Sequence, residues 1–175
     1  SVALVSDEQI LGEITLNLKK NHSTTLLAAI DFLMAQSEMK PKDLDRIVVA
    51  QGPGSYTGLR LAATVGKTLA YTCAKEIVGV SSLLALASRV KTEHAFVIPV
   101  MDARRGNAYA AVYQNAQVII EDQHCVFSDF LAKVTQKVSA LDQVVFTGET
   151  ENFTSQIRAA GFLDTQILTD SLAIL

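Results

Sequence analysis

The stretch QGPGSYTGLR, Gln51 to Arg60, places three glycines and a proline within a few positions, directly after the apolar run Ile47 to Ala50. A strand, a glycine-rich turn and a helix is an arrangement that holds phosphates, because the free N–H groups at a helix start face the anion. The spacing argues against that chemistry here. Gly52, Gly54 and Gly58 give GxGxxxG, one residue longer than the dinucleotide fingerprint. Gly66-Lys67-Thr68 has the tail of a Walker loop, but the glycine that motif needs falls on Leu61, and a helix covers all of these positions. A nucleophile elbow around Ser55 needs a glycine where Pro53 stands. The remaining reading is architectural. Gly52 and Gly54 permit backbone angles that other residues avoid, Pro53 stiffens the turn, and Gly58 follows as the helix begins.

The titratable residues offer little else. His22, His94 and His124 are isolated from one another and show no ligand spacing, so each reads as a surface or cap histidine. Asp102 ends an apolar run beside Arg104 and Arg105, where a carboxylate could serve a site, although an exposed ion pair is the plainer reading. Cys73 and Cys125 lie far apart without CxxC spacing and suit a reducing compartment rather than a disulfide framework. No Ser/His/Asp set or paired carboxylates can be picked out.

The helix behind the glycine turn is more informative. Ala62, Ala63, Gly66 and Ala70 are small and recur at spacings of three and four, with Leu59, Leu61, Val65 and Leu69 around them. Such a stripe lets a second helix approach closely. The preceding helix, with Leu26, Leu27, Ile30, Leu33 and Met34 at helical spacing, is also apolar beyond one stripe through Ala28, Ala29 and Phe32. One reading is that both helices are internal. The other makes them half of a four-helix contact with a partner, centred on Leu26, Leu27, Ile30, Leu59, Ala62, Ala63, Gly66 and Ala70. On that second reading Gly66→Arg or Ala63→Glu leaves the fold largely intact and abolishes pairing.

The elements that carry these residues alternate. The expected order is a hairpin (Val2 to Val5, Ile10 to Leu18) and a helix from Asn21 to Met39 capped by Ser23 or Thr24. A short buried strand, the turn, a helix from Tyr56 to Ala74, a strand at Ile77 to Val80 and a helix capped by Ser81 follow. The pattern then restarts with strands at Ala95 to Ala103, through Tyr109, Ala111 and Tyr113, and at Val118 to Glu121. A helix at Phe127 to Val138, a strand at Val144 to Thr147 and a helix at Glu151 to Ala160 close it. The fold class is α/β, a hairpin-led lobe used twice, with lobes at 1–94 and 95–175 divided at KTEH, Lys91 to His94.

Length and composition fit that plan. The 175 residues are 49% hydrophobic and 19% charged, which supports a buried core. A net charge of −3 with scattered basic residues is not the footprint of a protein that grips nucleic acid unaided. No apolar run reaches the length of a membrane span, and the expected location is the cytoplasm. The chain opens at SVALVS without Met and closes inside the apolar run SLAIL, so a fragment, or a protein trimmed of disordered ends, is expected.

With IVVA before it and KTLAYT behind it, GPGSYTGLRLA resembles the bacterial TsaB (YeaZ) family. NHSTTLLAAIDFLM, VGVSSLLALA and PVMDARRGNAYAAVY agree, and the likeness is only general from about Gln114 onward. The resemblance implies a two-lobed actin/Hsp70/sugar-kinase fold with ribonuclease-H-like cores and mixed sheets. It implies a non-catalytic scaffold that dimerises with TsaD, and with itself, through its first two helices. TsaE joins a larger complex, and TsaC supplies activated threonylcarbamoyl for tRNAs that read ANN codons. ATP and metal are expected on TsaD rather than on this chain, and tRNA contact is expected only through partners.

Where TsaD carries a GVNHxxxH-like stretch whose histidines hold metal, this chain has GVSSLLAL, with Ser82 and Leu86 at the histidine positions. A hydroxyl and an aliphatic chain cannot replace two imidazoles. The family's opening Asp-Thr-Ser-like strand would precede Ser1, and its closing elements would follow Leu175. An actin-like ATPase or kinase is the alternative function, and a metal-dependent glycoprotease a weaker one that lacks a metal set or a nucleophile–base pair.

Overall fold

The computed structural model describes residues 1–7, 9–16, 22–92, 94–139, 143–163 and 166–168. They divide into two compact units, Ser1–Gln51 with Ser55–Val80, and Gly52–Gly54 with Ser81 onward.

In the first unit β1 (Val2–Ser6) and β2 (Gln9–Ile14) pair antiparallel, with an irregularity at Leu4/Val5. The strand expected to reach Leu18 ends at Ile14, with Thr15 and Leu16 outside any strand and positions 17 and 18 outside the described residues. Helix α1 (His22–Gln36) packs on this hairpin and buries Ala29, Leu33 and Met34. Because α1 already runs from His22, Ser23 and Thr24 lie inside its first turn instead of capping it. Pro41 opens a short 3₁₀ turn, Pro41–Asp43, where its missing N–H costs nothing. Strand β3 (Arg46–Gly52) pairs with β4 (Glu76–Ser81), and α2 (Tyr56–Cys73) connects them. Ser55 caps α2, its Oγ accepting from the Gly58 N–H at 3.4 Å.

The second unit is built on one sheet, in the order β7-β6-β5-β8. Strands β5 (Phe96–Asp102), β6 (Asn107–Gln114) and β7 (Gln117–Val126) form an antiparallel meander, and β8 (Val144–Gly148) joins β5 in parallel. Side chains alternate between the two faces, as the pleat requires. Ile98, Val100, Ala108, Ala110, Val112 and Phe146 point to one face. There α4 (Phe127–Lys137) and α5 (Thr154–Ala159) add Phe127, Phe130, Leu131, Val134 and Ile157, all buried. Val97, Ala111 and Tyr113 point to the other face, where the short α3 (Ser82–Ala87) covers them with Leu83 and Ala87. Coverage on both sides explains why β5 is almost uninterrupted in apolar residues.

The division between units therefore falls at Val80/Ser81 and not at Lys91–His94, which corrects the expected lobes of 1–94 and 95–175. The physical reason is the burial of Leu83 and Ala87 against β5 and β6, which ties α3 to the second unit. The strand expected over Val118 to Glu121 is also longer, because its ladder with β6 runs from Gln117 to Val126.

Candidate functional site

The glycine turn makes uneven demands on its residues. Gly52 is buried at φ +105 and is joined to Pro53 by a cis peptide. Gly54 takes no positive φ, so the expectation that it is needed for backbone freedom does not hold. Gly58 lies in the first turn of α2, where a Cβ would meet Ser55 at an ordinary 3.6 Å. Arg60 stacks over the exposed Tyr56 ring at 5.3 Å, one turn earlier on the same helix.

The eight candidate interface residues divide between two environments. Gly66 and Ala70 are the buried residues of α2. A Cβ on Gly66 would lie 2.5 Å from Val49 Cγ1 and 3.3 Å from Ile77 Cδ1, so this glycine lets α2 sit directly on β3 and β4. That position serves the unit's own sheet, and the expectation that Gly66→Arg spares the fold is corrected. Leu59, Ala62 and Ala63 are half-buried, as are Leu26 and Ile30 on α1. Leu27 is 56% exposed, and Phe32, outside the candidate set, is equally exposed. At 100° per residue Leu27 points away from Ala29 and Leu33 while Phe32 flanks Ala29, so the two border the exposed side of α1 from its two edges, and α1 and α2 are in contact. The apolar excess of α1 named Phe32 in the sequence, but periodicity alone did not say which stripe would be left open.

Two polar clusters lie in the second unit. At the carboxyl ends of the parallel pair β5 and β8, the Asp102 N–H donates to Glu149 Oε2 at 2.6 Å. Asp102 itself accepts from the Arg104 N–H at 2.7 Å and from Asn152 Nδ2 at 2.9 Å. Its partners are thus a backbone amide and a side-chain amide, and the ion pair expected with Arg104 or Arg105 is replaced by a turn in which both arginines take positive φ. Among the described residues the buried Thr150 hydroxyl has no hydrogen-bond partner. His94 donates its N–H to Asn115 Oδ1, and His124 packs edge-on against Tyr109 at 5.1 Å, so neither approaches the other. The His22 side chain lies outside the described set.

The second cluster joins Ser81, Tyr113 and Asp122. Tyr113 OH and Ser81 Oγ each donate to the Asp122 carboxylate, and Ser81 Oγ caps α3 by accepting from the Leu83 and Leu84 N–H groups, both at 3.1 Å. The Ser81 oxygen is thus taken up by two amides and its proton by the Asp122 carboxylate, so the cluster fixes the start of α3. Burial, followed by the hydrogen bond to Asp122, pushes the Tyr113 hydroxyl up to about 12 from 10.0. The raised value means that the network's stabilisation is complete below pH 10 and is lost as pH rises through 12. Melting curves between pH 9 and 12 are expected to fall more steeply for the native chain than for Tyr113→Phe. The difference should be on the order of 2 kcal/mol; parallel curves would refute it.

No three His, Cys, Asp or Glu side chains come together as a metal-ligand set among the described residues. Both cysteines are free thiols. A shallow depression of ≈520 Å³ beside the first hairpin, lined by Ser6, Asp7, Gln9 and Leu11, gathers no catalytic set. Among the described residues no helix is long and apolar enough to cross a membrane.

The family model described as "TsaD: tRNA N6-adenosine threonylcarbamoyltransferase" matches residues 9–172. The tRNA threonylcarbamoyladenosine biosynthesis protein TsaB of Bacillus subtilis is 39% identical over 140 residues, covering 78% of this chain and 61% of that relative. The chain belongs to the TsaD family, on its TsaB (YeaZ) branch. The TsaB protein of Escherichia coli is 29% identical over 116 residues, covering 65% of this chain and 50% of its own length. The solved structure of YeaZ from Pseudomonas aeruginosa superposes with a TM-score of 0.58 at 25% identity, over 70% of this chain and 58% of that one. A second Pseudomonas aeruginosa structure, described as similar to peptidase YEAZ, superposes at 0.59 and 24% identity and speaks to the fold alone. This TsaB-branch chain therefore spans about half to three-fifths of the length of the curated relatives it matches. The α/β fold with sheets flanked by helices is the one expected from the sequence.

Proposed function

We propose that this chain is a non-catalytic scaffold in the modification of tRNA with threonylcarbamoyladenosine, pairing with a TsaD-type transferase through α1 and α2. The relatives named for this biosynthesis support the pathway. The observation that carries the pairing is the exposure of two large apolar side chains on α1, Leu27 and Phe32, each 56% exposed although Ala29, Leu33 and Met34 of the same helix are buried. Large apolar side chains left exposed near one another mark contact surfaces more often than lone ones do. The non-catalytic role draws support from α3, where Ser82 stands in place of a metal-binding residue and Leu86 is buried. Nucleotide and metal then reside on the transferase, a TsaE-type protein joins the larger complex, and tRNA is held mainly by the partners. Self-association through the same face and a cytoplasmic location belong to the same reading.

Reconstituted modification of a cognate tRNA, with TsaC, TsaD and TsaE supplied and this protein added or omitted, tests the role. Product that forms only in its presence supports the scaffold; equal product without it refutes it. Within that assay Phe32→Glu is expected to weaken association with the transferase at least tenfold, since it sets a charge in the contact. Its own melting should stay within about 0.5 kcal/mol of the native value, because the position is exposed. Undiminished association would move the interface elsewhere.

A further inference from the structure

The two faces of the β7-β6-β5-β8 sheet are covered unequally. One carries two helices and a group of buried phenylalanines, Phe127, Phe130, Phe146 and Phe153. The other carries α3, six residues long, held over Val97, Ala111 and Tyr113 chiefly by Leu83 and Ala87. A helix of that length has almost no stability of its own and depends on whatever fixes its ends.

Its start is fixed by a single hydroxyl. Serine has one proton and two lone pairs. The lone pairs of Ser81 accept from the Leu83 and Leu84 amides, and the proton goes to Asp122 on β7. The other oxygen of Asp122 accepts from the buried Tyr113, so the carboxylate is anchored from inside the sheet while its own residue remains exposed. Asp122 thereby sets the direction in which the Ser81 hydroxyl points, and with it the cap of α3. We propose that α3 is a strap that opens independently of the rest of the second unit, with Asp122 as its latch. Opening uncovers Val97, Ala111 and Tyr113 without disturbing the phenylalanine side of the sheet. Local units of this kind open well below the global unfolding free energy when their apolar contacts are few.

Native-state hydrogen exchange on the whole chain tests this. The amides of Leu83, Leu84 and Ser88, the last bonded to Leu84 O at 2.9 Å, are expected to exchange through an opening with little denaturant dependence. The Val138 amide at the end of α4, bonded to Val134 O at 2.8 Å, should remain protected through that opening. Asp122→Asn is expected to speed exchange in α3 roughly ten- to a hundredfold, the cost of losing hydrogen bonds to a charged group. Rates in α4 should not change. Tyr113→Phe should act in the same direction but less, since the Ser81 link survives. Unchanged α3 rates in a folded Asp122→Asn chain would overturn the latch. If that variant does not fold, the native chain decides: exchange of α3 and α4 at one common rate, with one denaturant dependence, would overturn the strap.

Discussion

Gly66→Arg is expected to unfold the first unit rather than merely uncouple it from a partner. A Cβ alone would reach 2.5 Å from Val49 Cγ1, so the helix must lift from β3 and β4 before any longer side chain fits. Overpacking of this kind costs about 1–3 kcal/mol, and a guanidinium drawn into the same seam adds about 2 kcal/mol or more unless it finds partners. The gain from removing a glycine inside a helix, about 1 kcal/mol, is smaller than the two costs together. Denaturant melts should show a loss of about 2–4 kcal/mol or outright unfolding. The exposed change Phe32→Glu should leave the midpoint nearly where it was, so the pair separates folding from docking. A Gly66→Arg chain with native stability would mean that α2 does not rest on this sheet as described.

Gly148→Ala is expected to be as damaging in the second unit, although it adds one methyl group. The residue ends β8 at φ +97, a conformation that an L side chain rarely adopts. Its Cβ would also press into the Val100 carbonyl oxygen and come within 2.6 Å of Leu86 Cδ2. That carbonyl is not free to move, since it accepts from the Glu149 N–H at 2.8 Å, and Glu149 in turn receives the Asp102 amide. Backbone strain of about 1–3 kcal/mol therefore comes together with a clash against main chain, and a loss of about 3–5 kcal/mol is expected. Exchange of the β5–β8 amides reports it directly: their protection should collapse while β1 and β2 of the other unit keep theirs. Retained protection would show that the strand end can relax at small cost.

The sequence was legible where one residue type answers to one local demand. Tyr109, Ala111 and Tyr113 alternate and do line one face of β6, and Ser81 precedes an apolar run and does cap its helix. Legibility failed where two different demands select the same residue. Gly66 lies in a row of small side chains, and a row of small side chains is equally what a partner helix or the chain's own sheet would require; only the position of Val49 and Ile77 decides. The boundary between units was misplaced for a related reason. Leu83 and Ala87 are apolar whichever sheet they face, and the polar KTEH segment looks like a linker although α3 already belongs to the strands beyond it. Asp102 beside two arginines suggests an ion pair, yet the turn brings the Arg104 amide to it first. The Ser81–Tyr113–Asp122 cluster unites residues 32 and 41 positions apart, a distance over which periodicity carries no information.

The parallel seating of β8 against β5 has a consequence for the order of assembly. The meander β5–β6–β7 needs only short turns, so its ladders can close as soon as those strands leave the ribosome. The outer edge of β5 then waits, bare and apolar, until α4 and β8 have been made, because Val144 to Gly148 are what pair with Phe96 to Val100. An unpaired edge of that kind is a template for other chains. Nascent chains stalled between Val126 and Val144 should accordingly be the ones that cling to chaperones or precipitate, while release past Gly148 lets the sheet seal itself.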